Sequence, residues 1–261
     1  MSARRQGLLY VATGPTYLEE AAASALASRP FLEGHQVVVI TDCLEEARQL
    51  RVFDQVLPHP DPRRSYRDKI QPLLQLPFAR TLFLDSDARL TAPVHDLFAA
   101  LGRAHLAAAH APVRRPSGWW DSHVPTLFPE LNSGVLLLRR SWRQKLLVHR
   151  WLRLYDQLDA ACGQSWDQAS LRSVVWRMQQ SLGLRLVLLP PEANLRTPKP
   201  WVAGEGLLVH VVHGRVPDSE WLALHNYLNG NVQRFRSWSE WQHLYPNSGV
   251  RLKLPPDPLG R

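Results

Sequence analysis

The sequence predicts an α/β fold, a single domain built on a mixed, mostly parallel sheet flanked by helices, on three observations. Short apolar runs alternate with helical segments through the first third of the chain, the order that gives parallel strands joined by crossover helices. Those runs are continuously apolar, as strands covered on both faces must be. The run Arg80-Thr-Leu-Phe-Leu stops abruptly in Asp85-Ser86-Asp87, placing carboxylates at a strand's carboxyl end, where open α/β sheets keep their ligand crevice. With 261 residues, 45% of them hydrophobic, the chain can bury its core as one large domain.

In order, the first strand covers 7–12 and enters the turn Thr13-Gly14-Pro15, after which an alanine-rich helix runs over 17–28. A second strand, 36–41, leads through Asp42 into a helix over 44–51. A short strand at 55–57, a turn-rich stretch over 58–64 and a helix over 66–75 precede the strand that stops at Asp85. The middle third carries a strand at 104–109, a loop over 112–129 with Trp119, Trp120, Asp121 and His123, and a strand over 131–138 entered through Asn132-Ser133-Gly134. The helix over 142–161 is amphipathic, with Leu146, Leu147, Trp151, Leu154 and Leu158 near helical spacing. The next helix opens around Ser165-Trp166-Asp167-Gln168, with Ser165 the expected N-cap and Gln168 in the capping-box position. The last third holds a strand over 184–189, a proline-rich connection through Trp201, and a strand over 207–213 ending at Gly214. Helices are expected over 218–227 and 237–244, then a proline-rich tail over 246–261, extended or loose.

No stretch approaches the roughly 18 uninterrupted apolar residues of a membrane span. The apolar run at 8–12 is too short for a secretory signal and meets a turn, not a cleavage site, so the expected location is cytoplasmic. Cys43 and Cys162 lie far apart, without zinc-site spacing, and are expected to be reduced. The net charge of +8, largely from arginine, suits anionic or phosphate-rich partners and equally a solvated basic surface. Among the ten tryptophans, Trp119, Trp120, Trp201, Trp238 and Trp241 fall in loop or amphipathic contexts. There an indole can stack on a sugar, sit at a lipid interface or fill a core.

Two aspartates one residue apart offer hard oxygen ligands that can hold a divalent cation against the phosphates of a nucleotide. The same tripeptide also suits a plain turn. Further pieces follow: Lys69 upstream, Leu131-Asn132-Ser133-Gly134, Trp166-Asp167-Gln168, and His210-Val-Val-His213-Gly214. Strand alternation puts His210 and His213 on opposite faces, so only one of them can serve a given site.

Together with the opening strand and Ala12-Thr13-Gly14, these pieces span roughly 8–215. In that order they resemble the GT-A glycosyltransferases that use nucleotide-sugars. The likeness is to the retaining family that contains glycogenin and the bacterial lipopolysaccharide galactosyltransferases. The resemblance implies a Rossmann-like GT-A catalytic domain over 1–245 and a metal-dependent hexosyltransferase. Its cation would be Mn²⁺ first and Mg²⁺ second, and its donor a nucleoside diphosphate sugar, a uridine diphosphate (UDP) sugar favoured. The acceptor would be a hydroxyl on a glycan, a lipid-linked glycan or a protein.

In that resemblance Ala12, Thr13, Tyr17, Thr41 and Asp42 border the base and ribose. Lys69 reaches the donor sugar and phosphate, with Arg64 and Arg67 weaker candidates. Asp85, Ser86 and Asp87 take the cation and ribose, and a late-strand histidine completes the metal shell: His213, at the strand terminus beside the glycine, is favoured, with His210 the alternative. Asn132, Ser133 and Gly134 face the sugar hydroxyls. Asp167 and Gln168 hold the transferred sugar for reaction and shield its oxocarbenium-like centre. The chain departs from the family after the histidines: the glycine spacing differs, and Gly214-Arg215-Val216-Pro217 replaces a lysine-bearing segment, with Arg215 the expected phosphate ligand. Retention needs no enzymic base; inversion would need a carboxylate, for which Asp121 is the nominee.

Two other readings stand beside this one. A nucleotidyltransferase on a related sheet would need a glycine-rich phosphate loop after the first strand, and Thr13-Gly14-Pro15 is poor in glycine. A non-enzymatic basic module, binding an anionic membrane or, less expectedly, nucleic acid, is suggested by Arg234-Phe235-Arg236-Ser237-Trp238-Ser239-Glu240-Trp241. An enzyme acting on a lipid-linked acceptor would combine catalysis with such peripheral membrane contact.

Overall fold

The computed structural model describes residues 6–111, 118–197, 202–203, 205–234 and 236–250. In chain order the elements are β1 (Gln6–Ala12), α1 (Pro15–Ser28), β2 (Gln36–Thr41), α2 (Leu44–Gln49), β3 (Gln55–Pro58), α3 (Arg67–Ile70) and β4 (Arg80–Leu84). There follow β5 (Ala88–Leu90), α4 (His95–Leu101), β6 (Leu106–Ala109), β7 (Val135–Arg139), α5 (Trp142–Cys162), α6 (Asp167–Leu182), β8 (Leu186–Leu189) and β9 (Leu195–Arg196). The last are β10 (Val202–Ala203), β11 (Val211–His213), α7 (Asp218–Asn229), β12 (Arg236–Ser237) and α8 (Trp238–Leu244).

The main sheet has seven strands in the order β3-β2-β1-β4-β7-β6-β8. All neighbours are parallel except β7, which runs antiparallel to both β4 and β6. Strand alternation divides the core. Leu8 and Tyr10 of β1 pack with α1 and α4, through residues such as Leu18, Ala21, Leu97 and Phe98. Leu9 points the other way, into a cluster with Phe83, Leu147, Trp151, Leu171 and Val175 from β4, α5 and α6. Burial on both faces is why these strands read as unbroken apolar runs.

Several expectations are corrected. The helix expected over 66–75 ends at Ile70 and continues as a 3₁₀ turn, Gln71–Gln75, because Pro72 has no N–H and its ring crowds the preceding turn. The helix expected over 44–51 ends at Gln49, and Arg51 turns into the left-handed region at φ 53°. Ser165 is not a cap. Helix α6 starts at Asp167 with Trp166 at the N-cap, and the Ser165 carbonyl accepts from the Tyr155 hydroxyl at 3.2 Å. The strand expected over 207–213 is confined to β11. Its earlier residues bond elsewhere: Val209 N–H donates to the Asn229 carboxamide and His210 N–H to the Glu192 carbonyl. Strand β11 lies in a separate three-stranded sheet, β5-β11-β9.

The C-terminal basic-aromatic stretch is largely interior. Arg236 is fully buried and donates to the carbonyls of Leu228 and Leu207, and Trp241 packs in a third cluster with Tyr227, Leu228 and Val216. Arg234 pairs with Glu240. The positions of Phe235 and Trp201 and the side chain of Trp238 lie outside the described residues. The packed body reaches past 245, since Val250 is buried and Gly249 N–H donates to Glu220 at 2.5 Å. Among the described residues no helix is long and apolar enough to cross a membrane. Cys43 and Cys162 are both free thiols.

At the end of the main sheet where β4 begins, His105 is buried and its Nδ1 accepts from the Arg185 backbone N–H. Burial, then the charges of Arg139, Arg185 and Arg143, push its pKa down to about 4. A histidine near 6.5 when unfolded binds more protons in the unfolded chain across pH 4–6.5, so the folded state loses stability as pH falls through that window. Thermal unfolding from pH 7 to 4 should therefore show a fall in Tm of several degrees that is smaller in His105→Gln. Equal slopes in both proteins would remove the assignment.

Candidate active site

The carboxylate end of β4 is built by a reversal of the chain. Asp85 N–H donates to the Gly134 carbonyl (2.8 Å), Ala88 N–H donates to the Asp85 carbonyl (3.0 Å), and the chain turns into β5. Strand β5 pairs antiparallel with β11 so that Ala88 faces His213, and Gly214 N–H donates to the Asp87 carbonyl at 2.9 Å. Gly214 adopts φ 144°, a region side chains disfavour. The small sheet thus delivers His213 to the two aspartates. One ligand atom from each of Asp85, Asp87 and His213 lies within 4.8 Å of the others. His213 Nε2 stands 3.1 Å from Asp87 Oδ1 and 3.7 Å from Asp85 Oδ2. His210 is elsewhere, its Nε2 3.2 Å from Asp96 Oδ2, so the histidine grouped with the two aspartates is His213.

His213 is oriented by a short relay. Its Nδ1–H donates to Asn194 Oδ1 (2.9 Å), the Asn194 amide donates to Asn132 Oδ1 (2.9 Å), and that oxygen also accepts the Gly134 N–H (2.9 Å). Committing the proton to Nδ1 leaves the Nε2 lone pair facing the carboxylates, the usual arrangement of a metal-binding imidazole. In this structure that lone pair is held by Arg196 Nη1. Burial alone would raise the Asp87 pKa. The His213 ring when protonated, then Arg196 and Arg215, outweigh it and hold the carboxyl well below the usual range. Gly134 completes the cradle: a Cβ there would lie 2.0 Å from His213 Cε1 and 2.6 Å from Asp85 Oδ2.

Beside this cluster Lys69 is almost buried, its ammonium 3.3 Å from Asp85 Oδ2, 3.4 Å from Asp167 Oδ2 and 3.0 Å from Ser133 Oγ. Burial would lower its pKa, but Asp167 and Asp85 together raise it, so the lysine keeps its charge. Asp167 is 1% exposed at the first turn of α6, and Gln168 Oε1 accepts the Ser133 N–H at 3.4 Å. Lys69, Ser133, Asp167 and Gln168 therefore form one network against Asp85. Tyr66 lies across Lys69, 5.3 Å from ammonium to ring centroid, with Trp166 5.6 Å from the Tyr66 ring.

The remaining predicted residues ring the ends of β1 and β2. Ala12 and Thr41 are buried, and Thr41 Oγ1 accepts from Cys43 N–H. Thr13 Oγ1 donates to Asp68 (2.9 Å), which also accepts the backbone N–H groups of Arg63 and Arg64. Asp42 accepts the Gly14 N–H at 2.7 Å and ties the two strand ends together. Tyr17, in the first turn of α1, is half exposed, not a core aromatic. Arg64 Nε lies beside Gly14, whereas Arg67 is bound to Asp61 and Asp156, away from the cluster. Ser86 Oγ and Arg215 Nε both donate to Glu20. Asp121 is buried against α6, where it accepts from Ser173 and Arg177.

Asn194, Arg196 and Glu20 are members that sequence reasoning missed. Asn194 precedes and Arg196 ends a two-residue strand with no periodicity, and Glu20 reads as the solvent face of a helix. Two carboxylates and an imidazole nitrogen around a space that only a glycine leaves open are a donor set suited to a divalent cation.

The architecture is the GT-A fold of glycosyltransferases. The glycosyltransferase GlyE of Streptococcus pneumoniae, in its apo form, superposes with a TM-score of 0.56 at 17% identity over 84% of this chain. This chain spans a little over half of that protein's length, 56%. The galactosyltransferase LgtC, solved with donor and acceptor sugar analogues, gives a TM-score of 0.56 at 14% identity, covering 91% of this chain and 99% of that one. Mouse xyloside xylosyltransferase 1 gives 0.50 at 15% identity, covering 81% and 98%. No protein-family model and no curated protein sequence matches the chain.

Proposed function

We propose that this chain is a metal-dependent glycosyltransferase that moves a hexose from a nucleoside diphosphate sugar, a UDP-sugar foremost, to an acceptor hydroxyl with retention of configuration. The observation that carries the reading is the convergence of Asp85, Asp87 and His213 at the carboxyl end of β4, around the space kept by Gly134. A divalent cation held there, Mn²⁺ before Mg²⁺, supplies charge neutralisation for the departing diphosphate.

The chain's own residues divide the other tasks. Ala12, Thr13, Tyr17, Thr41 and Asp42 border the base and ribose, with Ser86 beside them. Arg215 and Arg196 supply guanidinium groups to the phosphates, exchanging their present partners Glu20 and His213 for donor oxygens. The Asn132-Ser133-Gly134 segment faces the sugar hydroxyls. Asp167 and Gln168, fixed by Lys69 and by the Ser133 N–H, hold the sugar for attack. Retention is supported by the engagement of the nearby carboxylates. Asp167 is committed to Lys69, and Asp121, the nominee for an inverting base, to Ser173 and Arg177. The donor's own phosphate oxygen then receives the acceptor proton.

The test is a thermal-shift and turnover screen of UDP and UDP-hexoses with and without Mn²⁺. Ligand bound only to the folded state raises the midpoint. Asp87→Asn should lose the Mn²⁺-dependent shift and about a thousand-fold in turnover, the upper scale for removing one electrostatic contributor to a transition state. A shift indifferent to both Mn²⁺ and Asp87→Asn would sink the metal assignment.

A further inference from the structure

We propose that the end of the main sheet opposite the aspartates is a second binding site, taking a phosphate group between Arg80, Arg103, Arg139 and Arg185. It lies about 16 Å from Asp85, the length of five strand residues. Backbone pairing assembles it. Arg80 and Arg139 face each other in the β4–β7 register, Arg139 N–H donates to the His105 carbonyl, and His105 N–H donates to the Arg185 carbonyl. Arg103 stands two residues before His105.

Like charges set directly opposite on neighbouring strands destabilise a sheet. Here the repulsion is unrelieved: among the described residues no aspartate or glutamate forms an ion pair with any of the four. Arg139 Nε is buried and has no hydrogen-bond partner. Burial, then Arg185, Arg80 and Arg103, pull the Arg139 pKa below its ordinary value, which agrees with mutual crowding of the guanidinium groups. Arg67 is held by Asp61 and Asp156, and Arg177 by Asp121, whereas these four arginines stand together around one end of the sheet with no such partner. A concentrated field of one sign is what a phosphate would satisfy, through paired N–H···O bonds to the exposed ends of the guanidinium groups.

Arg143 and Trp142 extend this face. The Arg143 guanidinium lies 4.4 Å from the Trp142 ring centroid, and the indole is 57% exposed. The phosphate can thus come from a free anion or from a lipid headgroup, and the experiment separates the two.

Arg103 and Arg185 are both exposed, so the double variant Arg103→Gln/Arg185→Gln should fold. Inorganic pyrophosphate should raise the Tm of the wild-type chain by several degrees over sodium chloride of equal ionic strength. The rise should persist in Asp87→Asn, which disables the aspartate site, and vanish in the double variant. In parallel, sedimentation with phosphatidylglycerol vesicles, against phosphatidylcholine controls, reads the lipid source. Binding lost in the double variant but kept in Asp87→Asn supports the site from that side. If neither probe binds, or if both bind the double variant as well as wild type, the proposal is overturned, whatever becomes of the transferase reading.

Discussion

Gly134→Ala is expected to abolish transfer while leaving the main sheet folded. The added methyl carbon would stand 2.0 Å from His213 Cε1 and 2.6 Å from Asp85 Oδ2, distances at which atoms overlap. Relief must come from His213, which is fixed through Asn194, or from Asp85, whose backbone is tied to the Gly134 carbonyl. Either movement separates the imidazole from the carboxylates. Overpacking of this kind costs about 1–3 kcal/mol, too little to unfold a domain of this size. Turnover, by contrast, should fall by about a thousand-fold, on the scale of an electrostatic contributor removed outright. Initial rates with the donor found in the screen, beside Mn²⁺ titration of the same variant, make the check. A variant within a few-fold of wild type in both would mean that His213 and Asp85 do not act together.

Lys69→Met should unfold the protein more readily than any other single change at the site. It leaves Asp167, 1% exposed, and the partly buried Asp85 facing each other without the ammonium between them. Breaking a buried ion pair by removing one partner costs about 3–5 kcal/mol. At roughly 2–4 °C per kcal/mol for a chain of this size, the midpoint should fall by about 10 °C. The variant Lys69→Met/Asp167→Leu removes both buried charges and should recover most of that loss without recovering activity, because the sugar would still lack its carboxylate. Recovery of turnover in the double variant would show Asp167 to be structural only. A midpoint unchanged in Lys69→Met would show that the carboxylates are solvated.

What the sequence reveals depends on how local the determining forces are. Strands β1, β2, β4 and β7 are unbroken apolar runs bounded by turn residues, and a periodic reading places them well. The Asp85-Ser86-Asp87 step is legible for the same reason, since it is where such a run ends. Strands β5, β9 and β11 are two or three residues each and exist only through long-range pairing, so Asn194 and Arg196 carry no local signal. Ser165 shows the opposite failure. Ser165-Trp166-Asp167-Gln168 fits a capping box, but Gln168 is drawn to the Ser133 backbone and the cap falls one residue later, on Trp166. Arg236 and Trp241 look like a binding surface because their neighbours are polar, and only the packing of α7 against α8 shows them to be interior.

Asp85 leaves the long central sheet, whereas Asp87, His213 and Arg196 are carried by the small sheet, whose strands share only a few ladder positions. Ala88, Leu90 and Val211 of that sheet are nevertheless buried in one cluster with Leu84 and Val135, so packing and not the short ladders fixes it against the main sheet. A cation drawing its ligands from both sheets would therefore meet an assembled site, with little of its binding free energy needed to bring the two together.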